Sequence, residues 1–144
     1  MTQAHKLTYG YLPNFRGDHV VLFAGDQQSL ECMADLFDKL ACGTANLTAM
    51  LHTELLFAPN RGVPLTLTVT DAKLGMRRVG PTSSEPRLEW RISKDIATRF
   101  AGLTRAVAAM DEPAHQYLDT DGEDEVTVIV SKGEYDEEWL NQQR

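Results

Sequence analysis

The chain has 144 residues and a mass of 16.1 kDa, with 42% hydrophobic and 24% charged residues. This balance is that of an ordinary globular domain, and it excludes collagen, low-complexity disorder and a disulfide-built miniprotein. Every uninterrupted apolar run is too short to span a bilayer, so no membrane contact is expected. We predict one domain over residues 1–144.

The acidic residues are concentrated at the C-terminal end of the chain. Residues 111–144 carry 11 acidic residues against two basic ones, a net charge of −9. Residues 1–110 carry 12 basic and 10 acidic residues, a net charge of +2. Nucleic-acid affinity comes mainly from cations that meet phosphates, so this charge distribution argues against a nucleic-acid partner. It favours a basic protein partner instead.

Cysteine use and the N-terminus indicate a cytoplasmic protein. Cys32 and Cys42 form no metal-binding or redox spacing, and we expect both thiols to be free. A basic segment followed by an apolar one is missing from the N-terminus, so no signal peptide is expected. The chain has no phosphate-binding loop, zinc motif or nucleophile elbow, and we therefore expect no cofactor and no metal.

The first elements in chain order are two strands and a helix. A short strand over Leu7–Leu12 precedes a dense apolar strand over His19–Ala24, whose branched residues predict burial on both faces. Apolar residues at helical spacing then predict a helix over Gln27–Ala41. Asp26 is its candidate N-cap and Gly43 is placed to end it.

Two further strands and a long connection follow. The segment Leu47–Phe57 is ambiguous between strand and helix, and we predict a strand because its threonines and the turn after it favour extended backbone. Leucine and valine alternate with threonine over Leu65–Thr70, which predicts a half-buried strand. The glycines, prolines and serines of Asp71–Pro86 predict a long connection that forms the boundary between two halves of the chain.

The second half repeats this order of elements. Alternating residues predict a strand over Leu88–Ile92, and Ser93 is a candidate N-cap. An apolar stripe with steps of three and four residues predicts a helix over Lys94–Met110. Short strands are then predicted over His115–Asp119 and Val126–Ser131.

Both halves, residues 19–70 and 88–131, therefore have the order strand, helix, strand, strand. One such βαββ unit is too small to bury a full core, so two units would join edge to edge or pack face to face. We predict an α+β fold of duplicated βαββ units, mainly antiparallel sheet with two principal helices packed on it. Chance ordering of the elements is the alternative. An acidic tail over residues 133–144 follows.

A polar face on one predicted strand is the main candidate for chemistry. If Leu118 pairs with Val128, these two residues lie inward, whereas His115, Tyr117 and Asp119 face outward. A histidine that titrates near neutral pH beside a tyrosine and an aspartate can act in acid–base catalysis. A solvated or partner-facing sheet surface is the more common use of such a face.

The segment from His115 to Tyr135 (HQYLDTDGEDEVTVIVSKGEY) resembles the C-terminal parts of small uncharacterised bacterial proteins. Some proteins of this kind are grouped with contact-dependent toxin immunity proteins. The resemblance covers about one seventh of the chain, consists mainly of a hairpin, and assigns no functional residue.

Together these patterns favour a non-catalytic, bacterial-type domain that engages a basic partner, such as a cationic nuclease toxin, through its acidic end. One alternative is a small hydrolase or ligand-binding enzyme that uses His115, Tyr117 and Asp119. Another is a homodimer that pairs its strand edges. Trp139 either docks on the chain's own domain or anchors a partner. The candidate partner-binding residues are Asp121, Glu123, Asp124, Glu134, Asp136, Glu137 and Trp139.

Overall fold

A computed structural model shows two mixed β-sheets with helices packed against them, which confirms the predicted α+β class. The structure describes residues 6–43, 48–54, 56–59, 63–79, 87–135 and 137–142. None of the helices in these ranges has the length and apolarity needed to cross a membrane. The helices are α1 (Gln27–Cys42), α2 (Lys94–Ala108) and α3 (Glu137–Gln142). The strands are β1 (Leu7–Phe15), β2 (Asp18–Gly25), β3 (Thr48–Met50), β4 (Phe57–Pro59), β5 (Leu65–Val69), β6 (Gly75–Val79), β7 (Arg87–Ile92), β8 (Ala114–Tyr117) and β9 (Thr127–Lys132).

The two sheets share one arrangement of strands. The first sheet has the order β4-β1-β2-β9-β8, and the second has the order β3-β5-β7-β6. In the first sheet, the antiparallel pairs β1–β2 and β8–β9 are joined through the parallel neighbours β2 and β9. In the second sheet, the antiparallel pairs β3–β5 and β6–β7 are joined through the parallel neighbours β5 and β7. Helix α1 follows β2 of the first sheet and leads to β3 of the second, whereas α2 follows β7 and leads back to β8.

This topology corrects the predicted assembly of two separate βαββ units. Each half of the chain contributes strands to both sheets, so the halves are interleaved instead of being joined at one edge. Both central pairs, β2–β9 and β5–β7, are parallel, so the sheets are mixed. The topology does not show that the two halves arose by duplication, and that part of the prediction remains untested.

Helix boundaries follow the predicted caps. The Asp26 carboxylate accepts the N–H of Ser29 at 2.8 Å, and the Ser93 hydroxyl accepts the N–H of Ile96 at 3.1 Å. Gly43 ends α1 with φ at 70°, a left-handed conformation that glycine adopts without a Cβ penalty. These three predictions are confirmed. The two N-caps set the start of each helix immediately after a central strand, and Gly43 sets the end of α1.

The predicted strand over Leu47–Phe57 is wrong. Within the described residues of this stretch, β3 and β4 lie in different sheets and a short 3₁₀ turn, Leu51–Thr53, lies between them. His52 stabilises the turn because its Nδ1 accepts the N–H of Leu65 at 3.1 Å. The chain leaves the second sheet here and reaches the edge of the first.

The predicted connection over Asp71–Pro86 also needs correction. Residues 75–79 form β6, an edge strand antiparallel to β7, and Met76 in this strand is fully buried. The segment is therefore part of the second sheet and does not divide the chain into two halves. Residues 80–86 of this predicted connection lie outside the described residues.

Aromatic rings from both sheets and both long helices meet in the main core. Trp90 of β7 is fully buried, and its ring centroid lies 5.9 Å from Phe23 of β2. Phe37 of α1 and Phe100 of α2 contact the same indole at 5.8 and 5.6 Å. Burial of these large rings is the main force that joins the two sheets.

A second, smaller core lies on the opposite face of the first sheet. Leu22 of β2 and Ile129 of β9 are buried there together with Leu140 of α3. Trp139 packs beside them, with its ring 5.9 Å from Phe15. Strand β2 is thus covered on both faces, as its sequence predicts, and α3 docks on the chain's own sheet.

Candidate functional site

The polar face around β8 has the register that the sequence argument assumed. The N–H of Leu118 donates to the carbonyl of Val128 at 2.9 Å, and both side chains are buried. His115, Tyr117 and Asp119 are exposed, as the alternation predicts. Strand β8 itself ends at Tyr117, two residues earlier than the sequence suggests. The structure therefore brings the three candidate residues to one surface.

His115 contacts a glutamate from the segment after β9. Its Nδ1 lies 3.0 Å from Glu134 Oε1, and the Ser131 hydroxyl donates to that same oxygen at 2.9 Å. Ser131 is fully buried, so its hydroxyl is closed to a substrate. Within the described residues, no hydrogen bond joins His115 to this hydroxyl. The cluster therefore lacks the nucleophile–base contact that covalent catalysis uses.

Tyr117 is an accessible aromatic residue on the sheet edge. Its ring lies edge-on to the imidazole of His115, with centroids 5.9 Å apart, and 50% of the residue is exposed. Its backbone N–H donates to the side-chain oxygen of Gln116 at 2.9 Å. The phenol is positioned to pack against a molecule that approaches the edge of β8.

Asp119 is turned into the loop that follows β8. Its Oδ1 accepts the N–H of Asp121 at 2.8 Å, and this bond is the main cause of a lowered pKa for the Asp119 carboxyl. The backbone carbonyl of Asp119 accepts a hydrogen bond from Arg99. No contact between Asp119 and His115 occurs within the described residues, so these two groups do not form a relay.

Asp124 holds this loop in shape. One carboxylate oxygen accepts the N–H of Met76 at 2.8 Å, and the other accepts the N–H of Thr120 at 2.9 Å. The Thr120 hydroxyl donates to the same carboxylate at 3.0 Å. Burial raises the pKa of the Asp124 carboxyl. Asp124 thus has a structural role in addition to any role in partner binding.

The same loop lies directly against the second sheet. The N–H of Glu123 donates to the carbonyl of Leu74 at 3.1 Å, and glycines permit this close approach. A Cβ on Gly75 would lie 2.3 Å from the carbonyl oxygen of Glu123, and one on Gly122 would lie 2.4 Å from that of Leu74. The loop therefore joins the two sheets, and its carboxylates are held on a fixed backbone.

Two carboxylates of the loop pair with the chain's own arginines. Asp121 lies 2.7 Å from Arg99, and Glu125 lies 2.9 Å from Arg78, whose guanidinium lowers the pKa of the Glu125 carboxyl. These pairs reduce the free negative charge that the sequence leads one to expect. Both are partly exposed, and pairs of this kind contribute little to stability because water screens them. A partner's cations can therefore compete for the same carboxylates.

Other carboxylates of the acidic end have no side-chain partner within the described residues. Two of them directly precede β8, one lies in the loop after it and one lies on α3. The predicted partner-binding residue Asp136 lies outside the described residues, as does the side chain of Glu137. The carboxylates without a partner are those of Asp111, Glu112, Glu123 and Glu138.

An open cleft lies beside the end of β8. It has a volume of about 350 Å³ and is lined by Tyr117, Leu118, Asp119, Gly122, Asp124, Thr127 and Val128. His115 does not line it. The described residues contain no group of three or more histidines, cysteines or carboxylates placed to hold a metal ion. The cleft suits a single polar or cationic side chain.

One polar cluster in the structure could not be predicted from the sequence. The Tyr11 hydroxyl lies 2.7 Å from His19 Nδ1, and the two rings are stacked. Arg78, which pairs with Glu125, lies close to the same tyrosine. The residues come from β1, β2, β6 and the loop before β9, so no local spacing connects them.

No protein-family model, curated protein or solved structure matches this chain. The resemblance of residues 115–135 to parts of bacterial proteins therefore remains an expectation.

Proposed function

We propose that the chain is a non-catalytic protein-binding domain of bacterial type, which engages a basic partner as an immunity-like inhibitor of a cationic toxin would. The observation that carries this proposal is that carboxylates flank an exposed edge strand, β8, at both ends. Clustered carboxylates attract a basic partner and raise its association rate. We call this the acidic surface, and it comprises Asp111, Glu112, Asp119, Asp121, Glu123, Asp124 and Glu134.

The fixed backbone of the acidic surface supports a binding role. Asp124 ties the loop to Met76, and the glycine contacts hold it against β6. A surface whose loops are already ordered loses little conformational entropy on binding, so more of the interaction energy appears as affinity. The exposed ring of Tyr117 adds an aromatic residue of the type that is enriched at protein interfaces.

The hydrolase alternative receives less support from the geometry. His115 contacts Glu134, the neighbouring Ser131 hydroxyl is buried, and the cleft beside Tyr117 does not include the imidazole. Within the described residues, His115 is held by a carboxylate and forms no hydrogen bond with a hydroxyl that could act as a nucleophile. Self-pairing at β8 is opposed by the like charges that a second copy would bring to the same edge.

A cytoplasmic location completes the proposal. Cys32 and Cys42 are free, exposed thiols, a state that a reducing compartment maintains. Because Cys32 is exposed on α1, its thiol is not part of the core.

The test is affinity capture from a native bacterial lysate with the immobilised chain at low and at high salt. The binding variant removes three unpaired charges through Asp111→Asn, Glu112→Gln and Glu123→Gln. A matched control removes three exposed charges elsewhere through Asp18→Asn, Glu31→Gln and Asp71→Asn. The binding variant and the control variant have the same net charge, so they differ only in the positions from which charge has been removed.

We expect the wild type and the control variant to capture the same basic protein at low salt and to release it at high salt. The binding variant should capture little of it. Capture that is equal for both variants, or capture of acidic proteins alone, would contradict the proposal.

A further inference from the structure

We infer that β8 receives an extended basic segment of the partner as an additional strand of the first sheet. This inference rests on the proposed function and names its binding mode. Strand addition to an exposed sheet edge uses main-chain hydrogen bonds for affinity and side-chain contacts for specificity.

The hydrogen-bond pattern of β8 leaves one side of the strand open. Leu118 bonds to β9 through its N–H, and in an antiparallel pair every second residue does the same. Ala114 and Gln116 therefore direct their backbone groups toward β9, whereas His115 and Tyr117 direct theirs away from it. Within the described residues no segment pairs with this outer side, because β8 is the last strand of its sheet.

The Gln116 side chain occupies part of the open edge. Its oxygen accepts the outward N–H of Tyr117 at 2.9 Å, which satisfies a donor that would otherwise be available to an incoming strand. An incoming strand must displace this side chain. The displacement is feasible because the glutamine side chain has several rotatable bonds and lies at the protein surface. The edge is thus protected in the free protein and can open when a partner binds.

The charges at the two ends of β8 identify the occupant. Asp111 and Glu112 precede the strand, and Asp119, Asp121 and Glu123 follow it, while its own residues carry no carboxylate. A second copy of the chain would set these like charges against each other in either orientation, which destabilises cross-strand pairing. A segment with lysine or arginine at both ends meets opposite charges instead.

The cleft next to Tyr117 fits one side chain of such a segment. The exposed face of the phenol can pack against the aliphatic stem of an arginine or lysine, and the cation can reach the Asp119 carboxylate. The segment that fits is therefore extended, with apolar and basic residues in alternation and a basic residue at this cleft.

The test is a titration of the ¹⁵N-labelled full chain with the synthetic peptide Lys-Val-Arg-Val-Lys-Val, followed by NMR. A control peptide of identical charge carries N-methyl groups on all its backbone amides, so neither of its edges can donate to a β-ladder. We expect the amide resonances of His115 and Tyr117 to shift, and N-methylation to weaken binding about tenfold or more.

Two variants of the edge sharpen the test. His115→Pro removes an outward N–H while the ladder to β9 is kept, since proline is tolerated on edge strands whose N–H faces solvent. His115→Ala is its matched control, because both variants lose the imidazole. Gln116→Ala frees the N–H of Tyr117, and we expect it to bind the peptide about two- to fivefold more tightly than the wild type.

Three outcomes would overturn the inference. Equal affinity for both peptides, with shifts confined to the carboxylate residues, would exclude strand addition and leave the proposed function intact. No shift with either peptide would contradict both. Shifts of His115 and Tyr117 that depend on protein concentration without any peptide would assign the edge to a second copy of the chain.

Discussion

At the scale of single residues, the acidic end is more than a solvated tail, because one of its carboxylates builds the loop that displays the others. Asp124 accepts backbone N–H groups from two segments, Met76 and Thr120. We predict that Asp124→Ala lowers the free energy of unfolding by about 1–3 kcal/mol, because these donors lose their acceptor in a partly buried site. Urea denaturation measures the change.

The neighbouring Glu123 is the control for this prediction. Its side chain is exposed and forms no hydrogen bond or ion pair within the described residues, so Glu123→Ala should change the unfolding free energy by less than about 0.5 kcal/mol. Equal effects of the two substitutions would show that Asp124 does not support the loop.

The pKa values of the Asp119 and Asp124 carboxyls should be displaced in opposite directions from the ordinary value of an aspartate. The backbone N–H of Asp121 lowers the pKa of Asp119, whereas burial raises that of Asp124. The stabilisation from Asp119 is therefore present above its ordinary pKa and is lost as the pH falls through the lowered value. The pH-dependent part of the contribution of Asp124 is present below its ordinary pKa and is lost as the pH rises through the raised value. We predict that carboxyl ¹³C NMR finds Asp119 ionised at a lower pH than Asp124, and the reverse order would contradict the assignment of these contacts.

At the scale of elements, α2 is stabilised mainly by its apolar face. Phe100 is fully buried against Trp90 and Phe37, so Phe100→Ala should destabilise the protein by about 3–5 kcal/mol. Thr98 lies on the exposed face of the same helix and serves as the control, with a much smaller expected loss for Thr98→Ala. Thermal and urea unfolding give both values, and a loss under about 1 kcal/mol for Phe100→Ala would mean that the helix packs differently.

The attachment of the acidic loop to β6 gives a second element-scale prediction. A Cβ on Gly122 meets the backbone of Leu74, whereas one on Gly102, in the middle of α2, meets nothing within 4 Å. Gly122→Ala should therefore destabilise the protein, and Gly102→Ala should stabilise it by about 0.5–1 kcal/mol because alanine favours the helix. Differential scanning calorimetry compares the two, and a shift of the same sign for both would contradict this loop placement.

Elements with a strong periodic pattern could be predicted from sequence, and those that depend on distant partners could not. The caps Asp26 and Ser93 follow from local spacing, and both are confirmed. The β8–β9 register was only an assumption at the level of the sequence, and the structure has the register that was assumed. Strand β6 could not be predicted from the sequence, because the residues around it in the chain are rich in glycine and proline and its pairing with β7 is a tertiary contact. The ion pairs Arg99–Asp121 and Arg78–Glu125 join residues 22 and 47 positions apart, which no local pattern reveals.

At the scale of the whole molecule, interleaving of the two halves couples the acidic surface to the core. Helix α2 runs from β7 of the second sheet to β8, and the loop after β8 returns to β6 of that same sheet. The acidic surface is therefore attached to both sheets. The sequence predicted where the charge lies in the chain, but the pairing of part of it with internal arginines required the three-dimensional arrangement.

The most direct test of this account is the association rate of the captured basic partner, measured by stopped-flow fluorescence as a function of salt. For the wild type and the Asp18→Asn/Glu31→Gln/Asp71→Asn control, we predict that the rate falls about tenfold or more between about 0.05 and 0.5 M salt. The Asp111→Asn/Glu112→Gln/Glu123→Gln variant should start from a lower rate and depend less on salt. A wild-type rate that is independent of salt would contradict binding through the acidic surface.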